Sequence, residues 1–334
     1  MNRLIRKVTT NRNFYLFLFV VLIVVIFYSI EPLYLSSDNI RNILYSVSIT
    51  GVLMVGMATL LLSGNMDLSA GAVGCFATIL GCMMLNAGVP WVIALILTIG
   101  IGVLCGLWNA FMTYKLGIMP FIGTLGISYV WSGIGAIITK QASVTLTNES
   151  FFKFGTIKFG IVPIAFLYVV LLCIIYGVIM NYTRFGRRVY MCGGNRVAAR
   201  LAGIKCEKIG TIMMCNCSGL AALAGMLMAS RMHLIHYQNL QDSSTMGALT
   251  AALLGGVAFE GGNGGMLGAF LGLMLLNCFK NGIDIIGANE YVQVLLNGVL
   301  LMAAMAVDFF NNLSRQKKLK EKKSPDSVSN RATC

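Results

Sequence analysis

Ten apolar runs, each about as long as a bilayer-spanning helix, occupy most of this 334-residue chain. Hydrophobic residues make up 57% of the sequence, and the mean hydropathy is +0.80. A soluble domain does not reach this level, because it needs a polar surface. The sequence therefore predicts an all-α polytopic membrane protein with about ten transmembrane helices. We place them near residues 13–30, 40–62, 68–86, 90–113, 119–139, 161–181, 209–229, 245–259, 265–283 and 291–310.

Two span counts fit this pattern. The eighth run is short, and several runs contain glycine, which bilayer helices tolerate where neighbouring helices or a cavity satisfy the backbone. Eight spans with two re-entrant glycine-rich segments are therefore an open alternative to ten. The first run is interpreted as a retained anchor, because it is long and no small-residue cleavage site follows it.

Lys and Arg residues are unevenly distributed among the loops. If the N-terminus is cytoplasmic, 19 of the 25 Lys and Arg residues lie on the cytoplasmic side. The positive-inside rule therefore predicts that both termini and the loop 184–208 are cytoplasmic. The chain divides into a basic N-terminal tail at 1–12, one transmembrane domain at 13–310, and a basic, disordered C-terminal tail at 311–334.

Composition argues against several classes of protein. The net charge of +13 sits in the tails and one loop, without the continuous basic face that nucleic acids require. The ten cysteines are scattered through apolar runs, so no disulfide is predicted, and no zinc spacing or other metal or cofactor motif is present. The sequence lacks a G-x-S-x-G elbow, paired carboxylates and a catalytic triad, so no catalytic residue is assigned.

The stretch 192–208, CGGNRVAARLAGIKCEK, is unusually polar for this chain. Gly193 and Gly194 interrupt the preceding structure, and Asn195 is a good N-cap. Gly203 is placed to end a helix of about two turns, which is far too short to cross a bilayer. The pattern predicts a short helix inside the cytoplasmic loop.

The faces of this short helix differ. Val197, Leu201 and Ile204 recur at helical spacing and form one apolar stripe, while Arg196 and Arg200 share another face. Such a helix can dock onto a partner. The alternative is a loop that only fixes topology and touches anionic lipid, and this alternative needs basic residues but no helix start or stop.

Asp67 is an isolated carboxylate between two apolar runs. Such residues usually face a cavity or a partner, because an unpaired charge is costly near the bilayer. With Asn65 and Ser69 beside it, Asp67 is a candidate for contact with a translocated solute. It could equally cap the following helix, with Ser69 in the first turn.

Glycines at 264, 268 and 272 repeat every four residues. This spacing allows a second helix to approach closely, and we assign Gly264, Gly268 and Gly272 to helix packing. A phosphate-binding role is disfavoured, because G-x-x-x-x-G-K-[ST] is absent from the chain.

The cytoplasmic stretch resembles the signature of permease subunits of ribose-type ABC sugar importers. The matching residues are Gly186-Arg187, Gly193-Gly194-Asn195, Ala198-Ala199-Arg200-Leu201 and Gly203-Ile204. Three more blocks resemble the same family, and together they extend the resemblance over about residues 40 to 310. They are Ser63-Gly64-Asn65-Met66-Asp67-Leu68-Ser69-Ala70-Gly71, Pro120-Phe121-Ile122-Gly123-Thr124-Leu125-Gly126, and a glycine-rich block with Leu254-Gly255-Gly256, Gly261-Gly262-Asn263-Gly264, Gly268, Asn281-Gly282 and Asp308.

The resemblance implies roles for two sets of residues. The expected ATPase-coupling loop contains Gly193, Gly194, Asn195, Arg196, Ala198, Ala199, Arg200, Leu201 and Gly203. The candidate translocation path contains Asn65, Asp67, Ser69, Phe121 and Thr124. The chain has Ser132-Gly133 where family members often have Arg-Gly, and Thr245-Met246-Gly247 where many have Glu-Leu-Asp, so its solute stays open.

The resemblance also implies partners. They are a second permease copy or homologue, a cytoplasmic ATP-binding subunit that hydrolyses ATP, an extracytoplasmic solute-binding protein and a small sugar, in a bacterial cytoplasmic membrane. Two alternatives are a permease for branched-chain amino acids and an ion-coupled secondary transporter. The second would need charged residues near mid-membrane, and most spans carry none there.

Overall fold

Helices make up most of the part of the chain that the structure describes. The computed structural model describes residues 12–240, 242–289, 291–292, 295–296, 298–299, 302 and 305–306. The helices are α1 Arg12–Ile30, α2 Ser37–Leu62, α3 Ala70–Asn86, α4 Trp91–Tyr114, α5 Pro120–Thr139, α6 Glu149–Thr156, α7 Ile164–Tyr182, α8 Arg184–Gly194, α9 Arg196–Leu201, α10 Cys206–Met232, α11 Asp242–Leu254 and α12 Met266–Ile285, with a 3₁₀ turn at Pro32–Leu35.

Four two-residue strands correct the all-α prediction in detail. Strand β1, Val144–Thr145, pairs antiparallel with β4, Leu234–Ile235. Strand β2, Lys158–Phe159, pairs antiparallel with β3, Val162–Pro163. These ladders lie in connections between helices, where backbone groups that are outside a helix pair with each other.

Seven helices within the described ranges are long and apolar enough to cross a membrane: α1, α2, α4, α5, α7, α10 and α12. The apolar helices α3 and α11 are shorter. Helix α11 ends at Leu254, five residues before the predicted limit of 259, because Gly255 and Gly256 follow and Gly256 has a φ of +88°. The candidate span 291–310 and both tails lie largely outside the described residues.

Helix α10 lies at the centre of the bundle, and glycines bring its neighbours close. A Cβ atom on Gly56 of α2 would lie 3.1 Å from the Cα of Cys217 in α10. Cβ atoms on Gly74 of α3 and Gly106 of α4 would each lie 2.7 Å from carbonyl oxygens of α10. Small residues allow such close packing in lipid, where the hydrophobic effect does not drive helices together.

The outer helices expose apolar side chains. Only Phe27 is buried in α1, and α5 and α7 bury one side only. Ile137 of α5 is 78% exposed. In water this surface would promote aggregation, whereas lipid covers it at little cost. The exposure therefore agrees with a multi-pass membrane protein.

Different segments lie at the two ends of α7. Helix α6 and the β2–β3 hairpin precede α7, and α8 and α9 follow it. The segments 61–64, 192–204 and 255–264 contact one another at the α8–α9 end. This end carries the segment that the sequence predicts to be cytoplasmic.

Candidate functional site

Helix α9 begins and ends as the sequence predicts. The Oδ1 atom of Asn195 accepts a hydrogen bond from the Ala198 N–H at 2.9 Å, so Asn195 caps the helix. At the other end Gly203 has a φ of +77°, and its N–H donates to the Arg200 carbonyl at 2.9 Å. The Ile204 N–H donates to the Ala199 carbonyl at 3.0 Å, which completes a glycine-dependent C-terminal motif.

Two of the three residues of the predicted apolar stripe, Val197 and Leu201, face outward, whereas Ile204 lies after the end of α9 and is partly buried. Leu201 is 86% exposed and Val197 is 69% exposed. Ala199 is buried against the rest of the chain, and Ala198 is exposed. The helix thus packs against the rest of the chain through Ala199 and leaves the side chains of Val197 and Leu201 exposed.

The two arginines of α9 both contact this chain. The Arg200 guanidinium forms an ion pair with Glu207 at the start of α10. The Arg196 guanidinium lies over the ring of Tyr114, 5.5 Å from its centroid. The Tyr114 hydroxyl donates to the Asn65 Oδ1 at 2.8 Å, which connects α9 through α4 to the loop after α2. Such a cation–π contact stabilises by about 0.5–1 kcal/mol at an exposed site.

Glycines from three distant blocks of the sequence meet beside α9. The Gly262 N–H donates to the Leu62 carbonyl at 3.0 Å. A Cβ on Gly193 would overlap that same carbonyl oxygen and would lie 2.6 Å from the Gly262 nitrogen. A Cβ on Gly261 would lie 2.7 Å from the Gly64 Cα. We call this contact of residues 62–64, 193–194 and 261–262 the glycine junction, and in it backbone packs on backbone.

Gly193 and Gly194 are themselves helical. Helix α8 extends to Gly194 and ends there, so these glycines close a helix instead of interrupting one. Their small size serves close packing: Gly193 touches two other segments, whereas a Cβ on Gly194 would have the Gly262 Cα at 3.8 Å as its nearest neighbour.

Asp67 is fully buried in the loop between α2 and α3. Its Oδ1 accepts hydrogen bonds from the N–H and the hydroxyl of Ser69, at 2.8 and 2.6 Å. Its Oδ2 accepts from the Asn109 Nδ2 at 3.0 Å and from the Ser218 hydroxyl at 3.4 Å. Ser218 lies twelve residues after the start of α10, roughly 18 Å along that helix, so the carboxylate is deep in the bundle.

The remaining candidate path residues are divided between the interior and the surface. Thr124 is buried; its hydroxyl accepts from the Leu68 N–H at 3.1 Å and donates to the Pro120 carbonyl at 2.7 Å. Asn65 is buried and is held by Tyr114. Phe121 is 49% exposed and does not join this group. We call Asn65, Asp67, Ser69 and Thr124 the polar cluster: Ser69 bonds directly to Asp67, while Thr124 bonds to the Leu68 backbone and Asn65 bonds to Ser63 and Tyr114.

Sequence reasoning did not select Asn109, Ser218 or Tyr114, although each contacts this cluster or its neighbour. Asn109 carries the one side-chain amide in the apolar run of α4, and this is the signal that could have identified it. Ser218 gives no such signal, because serines are common in membrane helices and only packing brings it to Asp67.

Two short helices begin next to each other. The N-terminal turn of α3 packs on the end of the segment before α11, where a Cβ on Gly71 would overlap the Leu240 carbonyl oxygen. That carbonyl accepts a hydrogen bond from the Thr245 hydroxyl at 3.1 Å, and the Leu240 N–H lies 3.2 Å from the Cys75 sulfur. Helices that start inside a bundle in this way are typical of transporter binding regions.

The three glycines assigned to helix packing differ in position. A Cβ on Gly272 would lie 2.5 Å from the Gly255 nitrogen, and one on Gly268 would overlap the Gly255 carbonyl oxygen, so both bring α12 onto the end of α11. Gly264 precedes α12, has a φ of +122° and packs on Val257. The four-residue repeat is thus a helix-packing pattern at two of its three positions.

Cys192 and Cys206 form a disulfide, with Cα atoms 5.5 Å apart. The prediction of no disulfide is wrong for this pair. Cys192 and Cys206 approach each other because the end of α8 packs beside the start of α10, a contact that their spacing in the sequence does not reveal. The pair closes the base of the loop that carries α9.

Comparisons with known proteins fit this geometry. A family model described as "branched-chain amino acid transport system / permease component" matches residues 39–305. The chain belongs to this permease family. All the residues of the glycine junction and of the polar cluster lie within the matched range.

Relatives of this permease carry sugar and signal-molecule names. The ribose import permease protein RbsC of Bacillus subtilis is 32% identical over 294 residues, which cover 87% of this chain and 91% of that protein. The xylose/arabinose import permease protein XylH of Sulfolobus acidocaldarius is 28% identical, covering 92% and 87%. The autoinducer 2 import system permease protein LsrD of Klebsiella pneumoniae is 30% identical, covering 80% and 83%. No solved structure matches the chain.

Proposed function

We propose that this permease is the transmembrane subunit of an ATP-driven importer for a small sugar or a sugar-like solute. Support comes from relatives named as ribose and xylose/arabinose import permeases, which align over most of both chains. The family model's description mentions branched-chain amino acids, but the relatives favour the sugar alternative.

The single structural observation that carries the proposal is α9. Its caps fix a short helix whose Leu201 and Val197 point outward, and its other face is joined to the membrane helices. A groove on an ATP-binding subunit would cover the apolar stripe, as amphipathic helices are bound elsewhere. The glycine junction and the Arg196–Tyr114 contact then transmit a displacement of α9 to α2, α4 and the segment before α12.

This permease is not itself an enzyme in the proposed complex. ATP hydrolysis belongs to the cytoplasmic ATP-binding subunit, because the chain lacks the phosphate-binding motif G-x-x-x-x-G-K-[ST]. An extracytoplasmic binding protein delivers the solute, and a second copy or homologue completes the membrane part. We place the assembly in a bacterial cytoplasmic membrane, consistent with the Bacillus subtilis relative.

The solute path is proposed to pass near the adjoining starts of α3 and α11. These helices are the two short apolar ones, and hydroxyl groups such as that of Thr245 lie beside their starts. Asp67 has a structural role next to this path and does not bind the solute, because both of its carboxylate oxygens accept hydrogen bonds from donors of its own chain. An ion-coupled mechanism is disfavoured, because the carboxylate oxygens of Asp67 already accept hydrogen bonds from Ser69, Asn109 and Ser218.

Cytoplasmic orientation of α8 and α9 is part of the proposal, for either eight or ten spans. It places 19 of 25 Lys and Arg residues inside. In a reducing cytoplasm we expect the Cys192–Cys206 pair to be present as two adjacent thiols instead of a disulfide. The test is labelling of Arg188→Cys and Lys153→Cys variants in intact cells with a membrane-impermeant maleimide. We expect labelling at position 153 and none at 188; labelling at 188 alone would reverse the orientation.

The Leu201→Glu variant tests the coupling role. We expect the variant to be inserted and folded normally, because Leu201 is 86% exposed and makes little contact with its own chain. Recovery of a co-expressed ATP-binding subunit on the tagged permease should fall at least about tenfold, because the new carboxylate would be buried in an apolar groove at a cost of several kcal/mol. Solute uptake by cells should fall in parallel.

Phe159→Glu is the matched control. Phe159 is also exposed and apolar, at 60%, but it lies in β2 at the opposite end of α7. It should leave recovery of the ATP-binding subunit unchanged. Normal recovery and uptake with Leu201→Glu would show that α9 is only a topological anchor.

A further inference from the structure

A groove of about 650 Å³ lies between α8, the α9–α10 turn and the first turns of α10. Five of its lining residues are basic: Arg184, Arg187, Arg188, Lys205 and Lys208. Its apolar lining includes Phe185, Met191, Ile204, Ile209 and Ile212. The groove thus combines a cationic rim with an apolar wall.

The charge in this groove is not balanced by the chain. Glu207 is the single carboxylate between residues 184 and 212, and it is paired with Arg200, outside the groove lining. The five basic side chains are exposed, and the two ion pairs of the described residues include none of them. Repulsion among five like charges disfavours this arrangement unless an anion joins it.

Helix stability does not explain the cluster either. Arg184, Arg187 and Arg188 lie at the start of α8, and Lys205 and Lys208 flank the start of α10. Positive charge at a helix start is unfavourable, because the helix dipole is positive there. The arrangement therefore favours binding of a negatively charged group over stabilisation of the isolated chain.

The apolar wall identifies the kind of anion. Ile209 and Ile212 belong to the first two turns of α10, which is long and apolar enough to span the membrane. Ile212 is 40% exposed and Met191 of α8 is 45% exposed, so the groove keeps apolar surface that this chain does not cover. A small soluble anion would pair with the basic rim but would leave this apolar surface uncovered.

We propose that the groove binds an anionic phospholipid, with its headgroup among the arginines and lysines and its acyl chains against Phe185, Met191 and Ile212. Basic pockets at the cytoplasmic ends of membrane helices recognise such headgroups. The lipid would lie against α8 and the turn after α9, so it would brace the segment proposed to meet the ATP-binding subunit. The site is independent of which solute is carried.

The test is native mass spectrometry of the purified full chain, titrated with dioleoylphosphatidylglycerol or with dioleoylphosphatidylcholine. The groove variant carries Arg188→Gln, Lys205→Gln and Lys208→Gln. The control variant carries Lys140→Gln, Lys153→Gln and Lys158→Gln, which removes the same charge from exposed residues away from the groove, two of them before the opposite end of α7. Thermal unfolding of each variant checks that the fold is intact.

We expect the wild type and the control variant to bind phosphatidylglycerol at least about tenfold more tightly than phosphatidylcholine, and the groove variant to lose that preference. Soluble glycerol 3-phosphate should not displace the lipid. The proposal is overturned if the groove variant retains the preference, or if glycerol 3-phosphate competes at equal concentration. It is also overturned if the groove variant retains the lipid and loses the ATP-binding subunit, because the groove would then serve an acidic segment of that partner.

Discussion

Asp67 and Leu201 are both in surroundings that are unfavourable for their side chains. Asp67 is a carboxylate with no exposed surface, and Leu201 is an apolar side chain that is 86% exposed. The chain itself supplies hydrogen bonds to the Asp67 carboxylate, from Ser69, Asn109 and Ser218. The chain leaves the Leu201 side chain uncovered.

The difference indicates where the molecule is complete and where it needs a partner. A buried polar group with all its hydrogen bonds made holds elements together, here the α2–α3 loop, α4 and α10. An exposed apolar side chain on a helix capped at both ends has no comparable internal role. We therefore infer structural support at Asp67 and contact with another subunit at Leu201.

Asp67→Ala should give the largest effect on stability. The substitution leaves buried donors of Ser69, Asn109 and Ser218 without their acceptor, and we expect a loss of about 3–5 kcal/mol. Unfolding in detergent, followed by tryptophan fluorescence, measures it. Asp38→Ala is the control, because the Asp38 carboxylate is 84% exposed and its pair with Arg41 contributes at most about 1 kcal/mol. An unchanged unfolding midpoint with lost uptake would instead place Asp67 on the solute path.

Gly193→Ala should have the next largest effect. Its Cβ would overlap the Leu62 carbonyl oxygen and press on the Gly262 nitrogen, so the glycine junction must open at a cost of about 1–3 kcal/mol. Gly194→Ala is a matched neighbour, since its nearest contact is at 3.8 Å. We expect uptake to fall with the first variant and to persist with the second. Equal uptake from both would mean that α9 acts without the junction.

Gly203→Val should have the smallest effect and should act only on α9. A left-handed conformation costs an L-residue about 1–2 kcal/mol, so the C-terminal end of α9 should fray while the bundle stays folded. Affinity for the ATP-binding subunit should fall several-fold, as measured by titration in detergent. Ala202→Val is the control, because Ala202 has an ordinary φ of −80°. Unchanged affinity with Gly203→Val would show that the ATP-binding subunit does not require a preformed C-terminal end of α9.

Local pattern predicted the helices well and their contacts poorly. The helix ends near 30, 62, 86, 114, 139 and 182 agree with the sequence to within one residue, because runs of apolar residues end where polar or glycine residues begin. The caps of α9 could also be predicted from the sequence, because Asn195 and Gly203 each act on residues of the adjacent helical turn. These features depend on neighbours in sequence.

Features that depend on contacts between distant residues could not be predicted from the sequence. The Cys192–Cys206 pair, the Arg200–Glu207 ion pair and the glycine junction arise only when separate helices pack. The sequence did contain all three glycine blocks of the junction, but it gave no sign that they meet. Their small size is compatible with a turn, a helix end or close packing, and only the fold distinguishes these uses.

The glycine junction also limits when this protein can become functional during its synthesis. It needs Leu62 and Gly64 from an early part of the chain, Gly193 from the middle and Gly262 from a late part. Membrane helices are inserted in order from the N-terminus, so α9 leaves the ribosome long before its last supporting segment. Until residue 262 has been made, α9 lacks the packing contacts of the glycine junction that fix its orientation, so we expect productive assembly with a partner subunit only after that point of synthesis.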